Sequence, residues 1–402
     1  MGKNLYHQVI NEKLNNIKSE NRYRFFNEFK KNNFSYPLAG WVLDKKEYPV
    51  TIWCSNDYLG MSQKKSIIKE AINSIENYGV GSGGTRNISG NHHPIVKLEK
   101  EIAKLHKKEK ALVFSSGYVA NESTISSLLN VFENCVVFSD EKNHASIISG
   151  IRKSNAQKFV YKHNDVFDLE NKLKLVNFDQ PKLIIFESVY SMDGSIGNLK
   201  GIVKLAKKYN ALSYIDEVHA VGMYGKTGAG ISEELSLQND IDIIQGNLAK
   251  AYGNFGGYIA SNSSICDYIR STASGFIFTT SIPPCIAEAS IEAIKYLKVS
   301  NTERNIQKEN VDYLKTKLSE LRIKFLNNKS HIVRVMINDA LKCKQISELL
   351  LKKYGHYIQP INYPTVPKNT ERLRITPGPM HTKKMINSLV KSLQECIKIY
   401  DK

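Results

Sequence analysis

The 402-residue chain has only six cysteines, Cys54, Cys135, Cys266, Cys285, Cys343 and Cys396, and no two of them form a CxxC pair. Neither a zinc site nor a disulfide framework is indicated, no metal is expected, and the thiols read as reduced core residues. No uninterrupted apolar run reaches membrane-spanning length, so no membrane partner is expected. The opening stretch "MGKNLYHQVINEKLNNIKSE" lacks an apolar signal core and carries Glu12 and Glu20, which argues against signal and transit peptides and points to a cytoplasmic or already processed protein. Internal repeats and low-complexity segments are missing as well. Acidic residues are in the minority, 39 against 56 lysines and arginines, for a formal charge of +17. Such a charge invites a nucleic-acid reading, but the lysines are scattered as pairs such as Lys30-Lys31 and Lys207-Lys208. Without a basic stripe interleaved with aromatics, or a DNA- or RNA-binding motif, no nucleic acid is expected. A lysine-rich surface or small anionic substrates fit better.

What is present suits an ordinary globular protein: 42% hydrophobic and 9% aromatic residues, in a chain long enough for more than one core. Residues 5 to 31 show helical periodicity, with Leu5, Val9, Leu14 and Ile17 on one face. From about residue 62, apolar strand patterns alternate with amphipathic helices such as 96–108 and 199–209. The strands are expected at 111–116, 135–140, 158–162, 183–188, 212–216, 242–246 and 257–261. That alternation predicts an α/β fold with a mostly parallel sheet covered on both faces. After Pro283-Pro284 a helical pattern carries into a smaller αβ unit containing "HIVRVMI" and "RLRIT". The division expected is 1–61, an N-terminal helix and strand segment; 62–294, a large domain; and 295–402, a C-terminal domain.

In open α/β sheets ligands sit outside the carboxyl ends of the strands. Several expected strand ends carry polar chemistry here: Ser115 to Tyr118, Ser139-Asp140, Glu187 to Ser191, Asp216 to His219, and Asn247 to Lys250. Lys250 is the sharpest of these, a lysine at the end of a core-like strand among Gly246, Gly253, Gly256 and Gly257. An ammonium there is costly to desolvate, and burial favours the neutral amine that attacks carbonyls. Alone, it reads equally as a lysine snorkelling from a strand end. Asp216, thirty-four residues earlier at another strand end, changes the balance. A Schiff-base cofactor such as pyridoxal phosphate needs an acid to keep its pyridine nitrogen protonated. His219 follows by three residues, within reach of the ring hydroxyl or the substrate.

Other features are weaker one by one. "SSGYVAN" places Ser116, Gly117 and Tyr118 at an expected helix start, where backbone N–H groups suit a phosphate, though an ordinary strand–helix turn looks the same. Thr279 and Thr280 in "FTTS" offer two hydroxyls, or a plain turn. His144 in "NHAS" is placed to stack on a flat ring or to be structural. The glycine-rich "NYGVGSGGTRNISG" has the spacing of neither a Walker loop nor a dinucleotide fingerprint.

Taken together, "SNDYLG", "GSGGTRNISG", "LEKEIAKLH", "FSSGYVAN", "SDEKNHASIISGIR", "FESVYSMDG", "IDEVHAVGMYG", "GFIFTTS", "QPINYPTVP" and "ERLRITPGP" resemble the α-oxoamine synthase family over residues 20 to 395. The resemblance implies a fold type I, aspartate aminotransferase-like enzyme that is a homodimer and uses pyridoxal 5'-phosphate. It implies that Lys250 holds the cofactor as a Schiff base and later moves the α-proton, while Asp216 pairs with the pyridine nitrogen. His144 resembles the histidine stacked over the ring, and His219 the one near its phenolic oxygen. Ser191, Gly117 and Tyr118 match cofactor-cradle positions, and Thr279 and Thr280 match hydroxyls that reach the partner subunit's phosphate.

On the substrate side, Arg374 resembles the arginine that grips the carboxylate of glycine. Arg24, Ser139, Lys158 and Thr365 match the acyl-CoA side, and Asn56 another pocket position. Thr85 in "GTRNISG" accompanies the branch that condenses glycine with succinyl-CoA, the expected substrates. The alternatives are another branch, such as a glycine C-acetyltransferase, or a catalytically silent member. The chain departs from the family pattern around the lysine, reading "GNLAKA" where "GTLGKA" is usual. Asn247 thus stands in for a phosphate-contacting threonine, with an amide still able to donate, and Ala249 for a glycine. The Cys-Pro dipeptide of haem-regulated members is missing.

Overall fold

The structure, a computed structural model, describes residues 4–33 and 35–400. It divides into two compact units, one of Asn56–Ser191 with Ser195–Arg304, the other of the chain up to Ser55, Met192–Gly194 and the chain from Asn305 onward. Among the described residues no helix is long and apolar enough to cross a membrane.

The first unit is built on a seven-stranded sheet. In spatial order its strands are Lys110–Phe114, Gly257–Ser261, Ile243–Asn247, Leu212–Asp216, Lys182–Glu187, Val136–Asp140 and Gln157–Tyr161. The last five are mutually parallel, whereas Gly257–Ser261 runs antiparallel to both of its neighbours. Each strand lies within a residue or two of its expected position. Both faces are buried, as the unbroken apolar runs require. Ala111, Val113, Tyr258 and Ala260 pack into one core cluster, and Leu112, Phe114, Ile259, Tyr214 and Ile185 into another. Helix His93–His106 contributes Ile95, Leu98 and Ile102 to the first, and helix Gly117–Val131 contributes Ile125, Leu128 and Leu129 to the second.

The second unit holds two four-stranded sheets. Leu38–Leu43 and Lys46–Ile52 form a hairpin, and Lys46–Ile52 pairs in parallel with His356–Tyr357, so the N-terminal strands share a sheet with a C-terminal one. In the other sheet Val333–Met336 pairs with Arg372–Ile375. Its apolar side chains Val333, Val335, Leu373 and Ile375 join Trp53 and helices Ala340–Tyr354 and Lys383–Tyr400 in one core.

The N-terminal helix is shorter than its periodicity predicts. It spans Asn4–Ser19 and is closed by Asn21 at φ 54°, with Arg22 N–H donating to Ile17 O, a left-handed end that asparagine tolerates well. Glu28–Lys30, inside the expected helix, is instead the edge strand of the hairpin sheet, because pairing with Gly40–Val42 satisfies its backbone. Leu5, Val9 and Leu14, on the apolar face of that pattern, are exposed.

Candidate active site

Four strand ends of the seven-stranded sheet bring the polar side chains together. Asp216 ends Leu212–Asp216 and is 5% exposed. Its Oδ1 accepts from Val218 N–H at 2.9 Å and its Oδ2 from Asn121 Nδ2 at 2.8 Å. Asn121 is held in turn by Tyr214 Oη, which donates to its Oδ1, and donates to Ser146 Oγ. Burial raises the Asp216 carboxyl, opposed by the Asn121 and Val218 donors and by the positive charges of His144 and Lys250.

Glu187 lies level with Asp216 on the adjacent parallel strand and is 2% exposed. Burial first, and then the neighbouring Asp216, push its carboxyl far above the usual range. Two such carboxyls side by side do not both ionise cheaply. A cation brought to Asp216 would favour its charged form and leave Glu187 the neutral one.

Lys250, half-buried just beyond Ile243–Asn247, places Nζ 3.2 Å from His219 Nε2. The other ring nitrogen of His219 lies 2.7 Å from Tyr58 Oη, which also donates to Asn56 Oδ1. His144 caps helix Ala145–Arg152, with its Nδ1 2.8 Å from Ser146 Oγ, and its backbone N–H donates to Glu187 Oε1 at 2.6 Å. Its ring centroid is 6.4 Å from that of Tyr118, edge-on. His144 is exposed, and partial desolvation lowers its imidazole from the usual range, opposed by the charge of Asp216 and helped by Lys250.

At the start of helix Gly117–Val131, Ser116 Oγ accepts from Val119 N–H, and the first-turn amides are left to face outward. A Cβ on Gly117 would lie 2.9 Å from Asn247 Nδ2 and crowd that amide. Asn247 Oδ1 is taken by Ala249 N–H at 2.6 Å, so the side chain is turned with its NH2 group toward the helix start. The hydroxyl loops are joined too. Thr85 forms an isolated bridge with Thr280, and Ser281 N–H donates to Gly84 O.

The remaining expected residues fall as follows. Thr279 is half-buried and Thr280 exposed, and Ser191 lies half-buried just past Lys182–Glu187. Ser139 is buried, its Oγ accepting from Asn143 Nδ2, and Lys158 is exposed on the neighbouring strand. In the second unit Arg24 donates to Thr365 Oγ1 at 3.4 Å across 341 residues, and Arg374 is 7% exposed on Arg372–Ile375. Two contributors escaped the sequence reading, Asn121 and Tyr58, while Glu187 is marked there only as a polar strand end and given no role. Asn121 follows Gly117 by one helical turn, which is the only signal that could have marked it.

A buried carboxyl awaiting a cation, a lysine within reach of a histidine, an imidazole at the next strand end and an open helix start kept clear by Gly117 fit a flat, phosphorylated pyridine aldehyde. Comparison with known proteins agrees. The family described as aminotransferase class I and II matches residues 48–393. The chain is 53% identical over 388 residues to a 5-aminolevulinate synthase of Rickettsia typhi, covering 96% of this chain and 93% of that one. It is 49% identical to a 5-aminolevulinate synthase of Bradyrhizobium diazoefficiens, covering 96% and 95%. A serine palmitoyltransferase from S. paucimobilis with a bound PLP–myriocin aldimine superposes with a TM-score of 0.87 at 28% identity, covering 93% of both chains.

Proposed function

Because the chain belongs to the class I and II aminotransferase family, we propose that it condenses glycine with succinyl-CoA, releasing CoA and carbon dioxide, to give 5-aminolevulinate. It is a pyridoxal-phosphate-dependent acyltransferase acting at the entry to tetrapyrrole and haem synthesis. The observation that carries this reading is the constellation of Lys250, His219 and Asp216 at adjoining strand ends.

When bound, pyridoxal phosphate supplies an electron sink for negative charge developing at the carbon next to the substrate nitrogen. Lys250 Nζ is the amine that holds the cofactor. The same Nζ would take the α-proton of glycine, with His219 Nε2 3.2 Å away to orient it. Asp216, fixed by Asn121 and Val218, keeps the pyridine nitrogen protonated. His144 would cover the face of the ring. Gly117, Tyr118, Asn247 and Ser191 cradle the cofactor, with the amides at the helix start and the Asn247 NH2 donating to phosphate.

Arg374 grips the glycine carboxylate through its planar fork, and Arg24 with Thr365 faces the acyl-CoA, with Ser139, Lys158 and Asn56 completing the substrate contacts. We read residues 62–294 as the cofactor-holding part and the active form as a cytoplasmic homodimer in which Thr279 and Thr280 serve the neighbouring phosphate. The Thr85–Thr280 bridge supports treating the two loops as one unit.

The test is product identity. Purified protein is incubated with pyridoxal phosphate, glycine and a panel of acyl-CoAs. 5-Aminolevulinate from succinyl-CoA is expected as the dominant product. Preference for acetyl-CoA, or cofactor binding without turnover, would overturn the reading.

A further inference from the structure

Arg334 is a buried cation that nothing above uses. In the antiparallel pair Val333–Met336 and Arg372–Ile375, Arg334 stands directly opposite Arg374. Opposed residues of an antiparallel pair project from the same face, and alternate residues share it. Arg334, Arg372 and Arg374 therefore lie on one face, while Val333, Val335, Leu373 and Ile375 fill the core on the other. All three arginines are buried, at 7%, 6% and 7% exposure.

Their needs are met unequally. Arg372 donates from Nε to Thr370 O and from Nη1 to Met192 O, which makes it structural. Arg334 Nε is buried and has no hydrogen-bond partner. Asp193, 8% exposed, bears on Arg334 and on Arg372 as well. Glu371 adds a second negative group beside Arg372. Arg334 and Arg372 thus share Asp193, and Arg334 keeps a buried Nε without a partner. Burial and the neighbouring Arg372 lower the Arg334 guanidinium to about 10, a sign of how poorly its charge is compensated. Buried charge of this kind is costly unless an anion completes it.

We propose that Arg334 is a second carboxylate-binding arginine, acting with Arg374 on the carboxylate of the amino-acid substrate and selecting for the anionic end of glycine. The inference rests on the glycine reading given above. One guanidinium forks onto the two carboxylate oxygens, and the second supplies a further donor and positive potential to the same group. The amino-acid specificity of the site would then be set by a pair of cross-strand arginines.

The experiment uses holoenzyme and follows the change in cofactor absorbance as glycine is titrated, alongside steady-state kinetics. Arg334→Met and Arg334→Gln remove the charge, and Arg334→Lys keeps it. Loss of one charged hydrogen bond predicts roughly tenfold weaker glycine binding in both neutral variants. KM for glycine should rise in step, while KM for succinyl-CoA stays within about twofold. Arg334→Lys should bind glycine within about threefold of wild type, since charge survives without the fork. Wild-type glycine affinity in either neutral variant overturns the proposal, and so does equal weakening toward glycine and succinyl-CoA, the mark of a merely structural role. Should wild-type protein show no glycine response, the glycine reading itself fails and takes this premise with it. A responsive wild type with equally responsive neutral variants removes only the role of Arg334.

Discussion

Lys250 Nζ lies 3.2 Å from His219 Nε2, although thirty-one residues separate them. The proposed amine and the histidine that would orient it thus stand together before any substrate arrives. Lys250→Ala should abolish the absorbance of the lysine-linked cofactor together with nearly all turnover, because the amine that binds and the base that moves the proton vanish together. Turnover retained at a comparable level would sink the assignment.

Asp216 offers a separate handle. Asp216→Asn keeps the shape of the side chain but cannot hold a proton on the pyridine nitrogen. A charge-assisted hydrogen bond is worth about 1.5–3 kcal/mol, so cofactor affinity should fall by roughly tenfold or more. Fluorescence titration of the cofactor reads this without any reference to turnover. Wild-type cofactor affinity in Asp216→Asn would remove the pyridinium role.

Shared sites in a dimer are tested by mixing. A Lys250→Ala chain and a chain carrying Thr279→Ala with Thr280→Ala should each be inactive alone. After subunit exchange, random pairing makes half the dimers mixed, each with one intact composite site, so activity should return to about a quarter of wild type. No rescue despite demonstrated exchange would assign both threonines to their own subunit.

Thr85 is the residue proposed to set substrate choice. Glycine has no side chain, so larger amino acids must be excluded sterically. Thr85→Ser removes one methyl group, a change worth roughly 1–3 kcal/mol of discrimination in a pocket. Serine and alanine should then compete better against glycine. An unchanged ratio of catalytic efficiencies, glycine to serine, would take Thr85 off the substrate wall.

Stability should depend on pH through His106, a fully buried histidine 2.9 Å from Tyr258 Oη. Burial lowers its pKa to about 3, against 6.5 in the unfolded chain. A depressed histidine binds fewer protons folded than unfolded, so its stabilising contribution is whole above pH 6.5 and is lost as pH falls. Buried Glu187 and Asp216 pull the other way, so the readout is a difference between proteins. His106→Gln should be less stable than wild type at pH 7, and the gap should close by up to about 1.4 kcal/mol per pH unit between 6 and 4. Parallel stability curves would mean His106 is not neutral in the fold.

The sequence by itself determined the sheet and the lysine. Strand positions came from short apolar runs, which report burial on two faces whatever lies next to them. Polar residues at their ends marked the edge where chemistry collects, and Lys250 and Asp216 stood out because a charged residue ending an apolar strand is costly without a role. The long ordered motifs extended that reading to the cofactor and the substrates. Periodicity misjudged the helix from residue 5, since an exposed helix shows the same spacing as a packed one and Asn21 ends it by a backbone conformation that the apolar pattern does not encode.

Only the tertiary structure decided the partners. Asn121 holds Asp216 across 95 residues, Tyr58 meets His219 across 161, and Glu187 sits beside Asp216 because two strands align in register. The pairing of Arg334 with Arg374 is likewise a matter of register, and a shift of one residue would turn Arg334 into the core. Hydrogen bonds and charge pairs depend on distances between segments far apart in the chain. No local pattern carries those distances, so they become visible only once the chain has folded.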